Sequence, residues 1–455
     1  MTAFAAKTGS GLDKSLPKLY VMKKTETDSG FFNTMQGKYI TRAIESKLKT
    51  AAQSYKVVLV TGSRQVGKST LLKKLFPGYK YVTLDDPFLE QQARENGGMF
   101  LTLNPPPAVI DEVQHAPELF RYIKMRCDDS DERGLFCLSG SQQFQLMKGV
   151  SETLSGRIAV IELNGLSLRE ILKDGFSLPF LPTLEYVQAR TKTARAPGNI
   201  WEIIHRGAYP ELQNPDLDWA SYYGNYVKTY LERDVRALSA VQDLDSFQRF
   251  IIAAAARTGQ TLNYANIASE VGKDAVTIKN WISILEASGI IYLLEPYANS
   301  ALKRAVKTPK LYFRDTGLVC YLTRWLSPET LAYGAMSGHI FETFAVSEVL
   351  KSYANSGQDY RYFVSYYRGH DKLKQKVGGK VIETEGEIDL IIEADGVLHP
   401  IEIKQNDNVS PAATSAFQIL DKVSDRKRGM GAVVCNCPQP GMLRENIIQL
   451  PIWYI

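Results

Sequence analysis

Hydrophobic positions along this chain fall into three patterns, and each predicts a different element. Continuous apolar runs at Val57 to Val60, Pro107 to Ile110, Gly134 to Leu138 and Ile158 to Leu163 read as strands, the first a buried parallel strand. Helical spacing appears at Leu71, Leu72 and Leu75, and again over Trp219 to Leu238, where Tyr222, Tyr226, Tyr230, Leu231 and Val235 form a core-facing stripe. From Leu244 the pattern is helix, turn, helix, turn, helix, then two strands in IIYLLEPY and PKLYFRD. Gly338 to Tyr353 is an amphipathic helix. EGEIDLII and HPIEIK are two strand arms around Asp395-Gly396, a two-residue hairpin turn. Pro179 to Asn199, rich in Pro, Thr, Ala and Arg, reads as a loop or insertion at a sheet edge.

These patterns divide the chain into a weakly patterned arm (1–37), an α/β domain (38–200), a helical linker (201–243), a helix-turn-helix unit with a wing (244–325) and a second α/β domain (326–455). The length of 455 residues agrees, at about 150 residues per domain. Hydrophobic content of 44% and charged content of 23% exclude a wholly disordered or collagen-like chain. The longest apolar stretches, such as Phe250 to Ala256, fall far short of the about 20 residues of a membrane-spanning helix. The first residues have no apolar core with a cleavage site, so no secretory signal is expected. Five scattered cysteines, with Cys435 and Cys437 as the only close pair, predict reduced core thiols and a cytoplasmic protein rather than a zinc site. The net charge of +5 is too small to argue for nucleic acid.

The candidate chemistry begins at the first strand. It feeds Gly62-Ser63-Arg64-Gln65-Val66-Gly67-Lys68-Ser69-Thr70 and then a helix, the context a phosphate loop requires. Glycines let backbone N–H groups curl around phosphate oxygens, and the helix N-terminus adds its positive dipole end. Lys68 would reach the β- and γ-phosphates of ATP, and Ser69 would ligate Mg²⁺. About 40 residues on, Asp111 and Glu112 end a strand; Asp111 would hold Mg²⁺ through water, and Glu112 would orient or deprotonate the attacking water. The third strand ends at Ser139-Gly140-Ser141-Gln142, at the ligand-facing end of an open sheet. Ser141 or Gln142 either touches the γ-phosphate or lytic water, or belongs to a capped turn. Arg157 either senses the γ-phosphate or is a surface arginine.

KVVLVTGSRQVGKSTLLKKLF, AVIDEVQHAPELF, LSGSQQF and LSGRIAVIEL resemble a prokaryotic branch of the AAA-type ATPases. Members of that branch usually carry a C-terminal domain of unknown function built around a restriction-endonuclease-like core. The resemblance spans nearly the whole chain beyond Lys38 and continues through GAYPEL and YLERDVRAL. It implies ATP binding without saying what ATP is used for. It also implies a winged-helix look for the middle segment and leaves room for an arginine lent by a neighbouring subunit in a homo-oligomer, with Arg157, Arg121 and Arg126 as candidates.

In the middle segment, the helix after Val271-Gly272-Lys273 carries Thr277, Lys279 and Asn280 near its start, the place of a recognition helix. Lys303, Arg304, Lys307, Lys310, Arg314 and Arg324, interleaved with Tyr312 and Phe313, form a basic strip that would neutralise DNA phosphates, unless the hairpin is simply solvated.

At the C-terminus, Glu402 and Lys404 lie two apart on one strand and so share a face, with Asp389 on the other hairpin arm. This Asp…Glu-x-Lys pattern resembles a restriction-endonuclease-like core. The resemblance implies that Asp389 and Glu402, with Glu342 as a further carboxylate, bind Mg²⁺ or Mn²⁺, and that Lys404 activates water or stabilises charge on the phosphate. A cross-strand ion-pair ladder would use the same residues. His399 reads as structural. Arg361, Arg368, Lys372, Lys374, Lys376 and Lys380, with Tyr366 and Tyr367, would grip a nucleic-acid backbone or stay solvated. The expected protein is a DNA-associated ATPase with a nuclease-like domain; the alternative is an ATP-driven switch on a protein partner or a DNA-reading regulator.

Overall fold

The computed structural model describes residues 39–141, 153–231, 243–297, 308–377, 380–423 and 425–455, with side chains at 230–231 and 370–385 left aside. The N-terminal arm, Gln142, Val235 and the tip bearing Lys303, Arg304 and Lys307 lie outside the described residues, as do the side chains of Lys372, Lys374, Lys376 and Lys380.

The first sheet is wholly parallel. Strands β1 (Val57–Thr61), β2 (Lys80–Thr83), β3 (Ala108–Asp111), β4 (Phe136–Gly140) and β5 (Ile158–Glu162) stand in the order β2-β3-β4-β1-β5. Successive side chains on a strand point to opposite faces. Accordingly Val58 and Val60 enter one hydrophobic core while Val57 and Leu59 enter another. That two-sided burial explains why the strand reads as an unbroken apolar run. Thr61, Asp111 and Gly140 end their strands at one edge of the sheet, so the loops that follow them share that edge.

The middle unit runs from helix Leu244–Ala255 through β6 (Gln260–Thr261), helix Tyr264–Val271, helix Ala275–Ala287, β7 (Ile291–Leu294) and β8 (Lys310–Phe313). Asn263 and Asp274 cap the second and third helices by accepting from Asn266 N and Thr277 N. Its antiparallel sheet has the order β6-β8-β7. The described part of the expected basic strip is corrected at Lys310 and Arg314, while Arg324 is exposed. Lys310, Tyr312 and Phe313 are buried and Arg314 half-buried, because each polar one has a partner inside the protein.

The second α/β region is a mixed sheet of β9 (Val364–Val377), β10 (Lys380–Ala394), β11 (Val397–Lys404), β12 (Lys427–Arg428), β13 (Gly431–Cys435), β14 (Gly441–Arg444) and β15 (Ile447–Pro451). The main path is β14-β15-β13-β11-β10-β9, with β12 beside β11. Ala394 pairs with Val397 across Asp395 and Gly396, whose φ angles of 50° and 75° match the tight hairpin that the dipeptide predicts.

One hydrophobic core runs through all three regions, and polar contacts stitch them together. Glu348 on helix Ser337–Asn355 accepts from Leu168 N at 2.7 Å, and Lys351 donates to Leu166 O at 3.0 Å. Pro179 to Asn199 proves more than a loop. It contains helix Leu184–Thr191, capped by Thr183, with Tyr186, Val187 and Arg190 buried. Arg190 pairs with Asp174 at 2.5 Å and donates to Trp453 O, while Arg169 donates to Ile455 O. The polar composition misled because these arginines are buried by pairing rather than exposed. All five cysteines are free and buried, and no helix among the described residues is long and apolar enough to cross a membrane.

Candidate active site

The turn after β1 is shaped by crowding. Gly62 has φ of 145°, and a Cβ there would lie 2.2 Å from Leu163 O, so a side chain has neither the backbone conformation nor the room. Gln65 takes φ of 63°, and helix Lys68–Leu75 begins immediately after Gly67. Lys68 is buried, its Nζ donating to Gly62 O at 3.0 Å and Ser63 O at 2.9 Å. Arg42, from the segment before the first helix, clamps the turn from behind. Its Nη1 donates to Val66 O at 2.8 Å, Nη2 donates to Asn164 O at 2.7 Å, and Nε pairs with buried Glu170 at 3.0 Å. Beside the turn opens a cavity of about 650 Å³, lined by residues 64–70, Glu112, Tyr39, Ile40, Arg42, Pro210 and Glu211.

Asp111 is buried and accepts from the Ser139 and Tyr81 hydroxyls. Burial and the hydrogen bond to Asp111 raise the Tyr81 phenol, and Ser69 lies within hydrogen-bonding reach of it. Glu112 has φ of 55° and ψ of 44°, a left-handed conformation that costs about 1 kcal/mol in a glutamate and persists where surroundings dictate it. Its Oε2 accepts from Gln114 Nε2 and lies 3.5 Å from Ser141 Oγ, while Gln114 and Ser141 are 3.4 Å apart. Three buried polar atoms lack any partner here: Thr61 Oγ1, Gln65 Oε1 and Gln114 Oε1. Buried polar atoms are rarely left so. A cavity of this size beside a lysine, a serine and two carboxylates suits a nucleoside triphosphate with Mg²⁺. Lys68 would hold phosphate, and Ser69 with Asp111 would hold the cation, whose part is to neutralise phosphate charge. Glu112, steadied by Gln114, would orient a water and accept its proton.

The other predicted residues divide. Arg157 precedes β5 at the opposite end of the sheet and pairs with Asp128 at 2.6 Å, so within the chain it cannot sense the γ-phosphate. Arg126 donates to Thr102 on an exposed helix surface.

At the C-terminal hairpin, Asp389, Glu402, Lys404 and Glu342 do come together. Lys404 Nζ is 2.5 Å from Glu402 Oε1, and Asp389 Oδ2 accepts from Ile403 N at 2.8 Å. Burial, with Asp389 close by, raises the carboxyls of Glu342 and Glu402. Among the described residues, however, no three His, Cys, Asp or Glu side chains are arranged to hold a metal ion. Lys310 sits among them instead, so the donor set does not fit a divalent cation as arranged. His399 is buried with Nδ1 2.9 Å from Met430 O, a structural position. Tyr366 is buried behind Lys310, which corrects its reading as a nucleic-acid contact.

Comparison with known proteins bears on each segment. Residues 54–172 match the AAA domain family. The first domain is an AAA-type ATPase domain. Residues 198–329 and 381–455 match two domains of unknown function, DUF8612 and DUF4143. Uncharacterized proteins of Mycobacterium tuberculosis and Mycobacterium bovis are each 24% identical over 84% of this chain and 77% of their own length. Among solved structures, a Walker-type ATPase of Pyrococcus abyssi is similar at 14% identity and a TM-score of 0.37, over 64% of this chain and 99% of its own. A DNA replication initiation factor is similar at 16% identity and a TM-score of 0.21, over 53% of this chain and 85% of its own.

The sequence reading of this ATPase domain missed Arg42, Tyr81, Gln114 and Ser139. Gln114 carried a signal, since it lies two residues beyond Glu112 in the same motif. Arg42 and Tyr81 carried none, because their partners are distant in sequence.

Proposed function

We propose that the protein is an ATP-hydrolysing switch whose nucleotide state controls how its middle unit engages DNA. One contact carries this reading. Gly289, between helix Ala275–Ala287 and β7, packs so closely on the phosphate loop that a Cβ there would lie 3.3 Å from Ser63 N. Nearby, Arg314 at the end of β8 pairs with Glu162 at the end of β5 and donates to Asn164 at 2.7 Å. Phosphates gathered by residues 62–69 would therefore move backbone that directly abuts the helix meant for DNA. The helix–strand–helix–helix–strand–strand order supports a winged helix, with Lys279 and Asn280 exposed on the third helix.

A specific observation favours a second reading, a switch on a protein partner. The third helix has a single lysine, and Val276 on its outer face is 68% exposed. The mixed sheet around Asp389, Glu402 and Lys404 supports a nuclease-like fold, but with Lys310 in their midst we propose no cleavage.

The test is fluorescence anisotropy with labelled duplex and single-stranded DNA at low salt. Apo, ADP-bound and ATP-bound protein are compared, the last as Glu112→Gln. Affinity that changes severalfold with nucleotide, and weakens in Lys279→Ala, is expected. No binding in any state would discard the DNA reading in favour of a protein partner.

A further inference from the structure

Lys310 is a buried charge surrounded by carboxylates. Its side chain is 3% exposed, and its ammonium lies 2.7 Å from Glu387 Oε1, 3.2 Å from Glu342 Oε1 and 3.7 Å from Asp389 Oδ1. The Tyr366 ring backs it at 5.4 Å. Three carboxylates within 4 Å offset the cost of burying this ammonium. The Tyr312 hydroxyl also donates to Glu342 Oε1 at 2.6 Å, and Lys404 engages Glu402.

We infer that Lys310 is the resident cation of this cluster, standing where a divalent metal ion would need to bind. The inference is independent of the ATP-switch reading. Mg²⁺ needs oxygen ligands at about 2.0–2.1 Å in near-octahedral order, a demand this shell cannot meet around an ammonium. A divalent ion entering beside Lys310 would meet a positive charge at low dielectric and would have to displace it. Displacement is costly, because it leaves a buried charge without its partners. Lys310 comes from β8 and the carboxylates from β10 and helix Ser337–Asn355, so the ammonium also clamps the middle unit to the C-terminal domain.

The test uses full-length protein without nucleotide. Mn²⁺ binding is measured by titration calorimetry and by the shift in melting temperature, for wild type, Asp389→Asn, Lys310→Met and the double variant. Wild type and Asp389→Asn should take up Mn²⁺ equally weakly. Lys310→Met should melt lower than wild type without metal, bind Mn²⁺ at least about tenfold more tightly, and regain stability on binding it. The double variant should lose that gain. Asp389-dependent uptake by wild type overturns the inference, as does a folded Lys310→Met that binds no more tightly. If Lys310→Met does not fold, the comparison of wild type with Asp389→Asn decides: equal uptake supports, Asp389-dependent uptake refutes.

Discussion

The phosphate-loop site and the C-terminal cluster both gather buried carboxylates at strand positions beside lysines, yet they are finished differently. At the phosphate loop, Thr61, Gln65 and Gln114 keep polar atoms without partners, and Gln65 lines a cavity of about 650 Å³. At the cluster, Lys310, Lys404, Tyr312 and Ile403 N already meet Glu342, Glu387, Asp389 and Glu402. Unmet hydrogen-bonding capacity around a void is the mark of a place built for something else to complete. Capacity met from within is the mark of structure. Similar residues therefore imply a ligand in one place and a joint in the other.

The strongest way to break this contrast is to disable the open site. Lys68→Ala should reduce ATP turnover by about 10²–10³-fold, since it removes a positioned charge from the phosphates; phosphate-release kinetics measure it. Glu112→Gln should lower turnover by about 10²–10⁴-fold while ATP still binds, leaving nucleotide trapped on filters. Turnover persisting in both variants would overturn the site assignment.

Arg42→Ala sharpens the contrast by showing that the open site stands on a closed one. It leaves Glu170 buried and unpaired and should cost about 3–5 kcal/mol in denaturant unfolding, with loss of ATP affinity as the loop slackens. Gln114→Ala should be milder, lowering turnover by about tenfold with ATP affinity kept, because it only steadies Glu112.

The smallest effect concerns pH. Burial lowers the rings of His205 and His399 below the usual 6.5. The stability each contributes is fully present above about 6.5 and is lost as pH falls through the lower folded-state value. His399→Gln should flatten part of the acid-side decline in melting temperature; an unchanged slope would show that the fold does not lower the His399 ring.

Much of the first site was legible because it is local. Strand, phosphate loop and helix are contiguous, and Asp111-Glu112 follows a run that reads as a strand by itself. The C-terminal hairpin was equally legible, because Asp395-Gly396 fixes its turn and period-two alternation places Glu402 with Lys404. What escaped was distant or disguised. Arg190 and Arg169 look like surface residues until the chain end is brought beside them. Lys310 looks like part of a solvent-facing basic strip, although its strand alternation points it into a carboxylate nest contributed by residues up to 79 positions later.

The sequence by itself determined the chemistry on offer at each strand end, since backbone geometry and residue type are set within a few positions. Only the tertiary structure decided which charges would be answered. A lysine's meaning depends on whether water or a carboxylate surrounds it, and that is settled by packing between segments far apart in the chain.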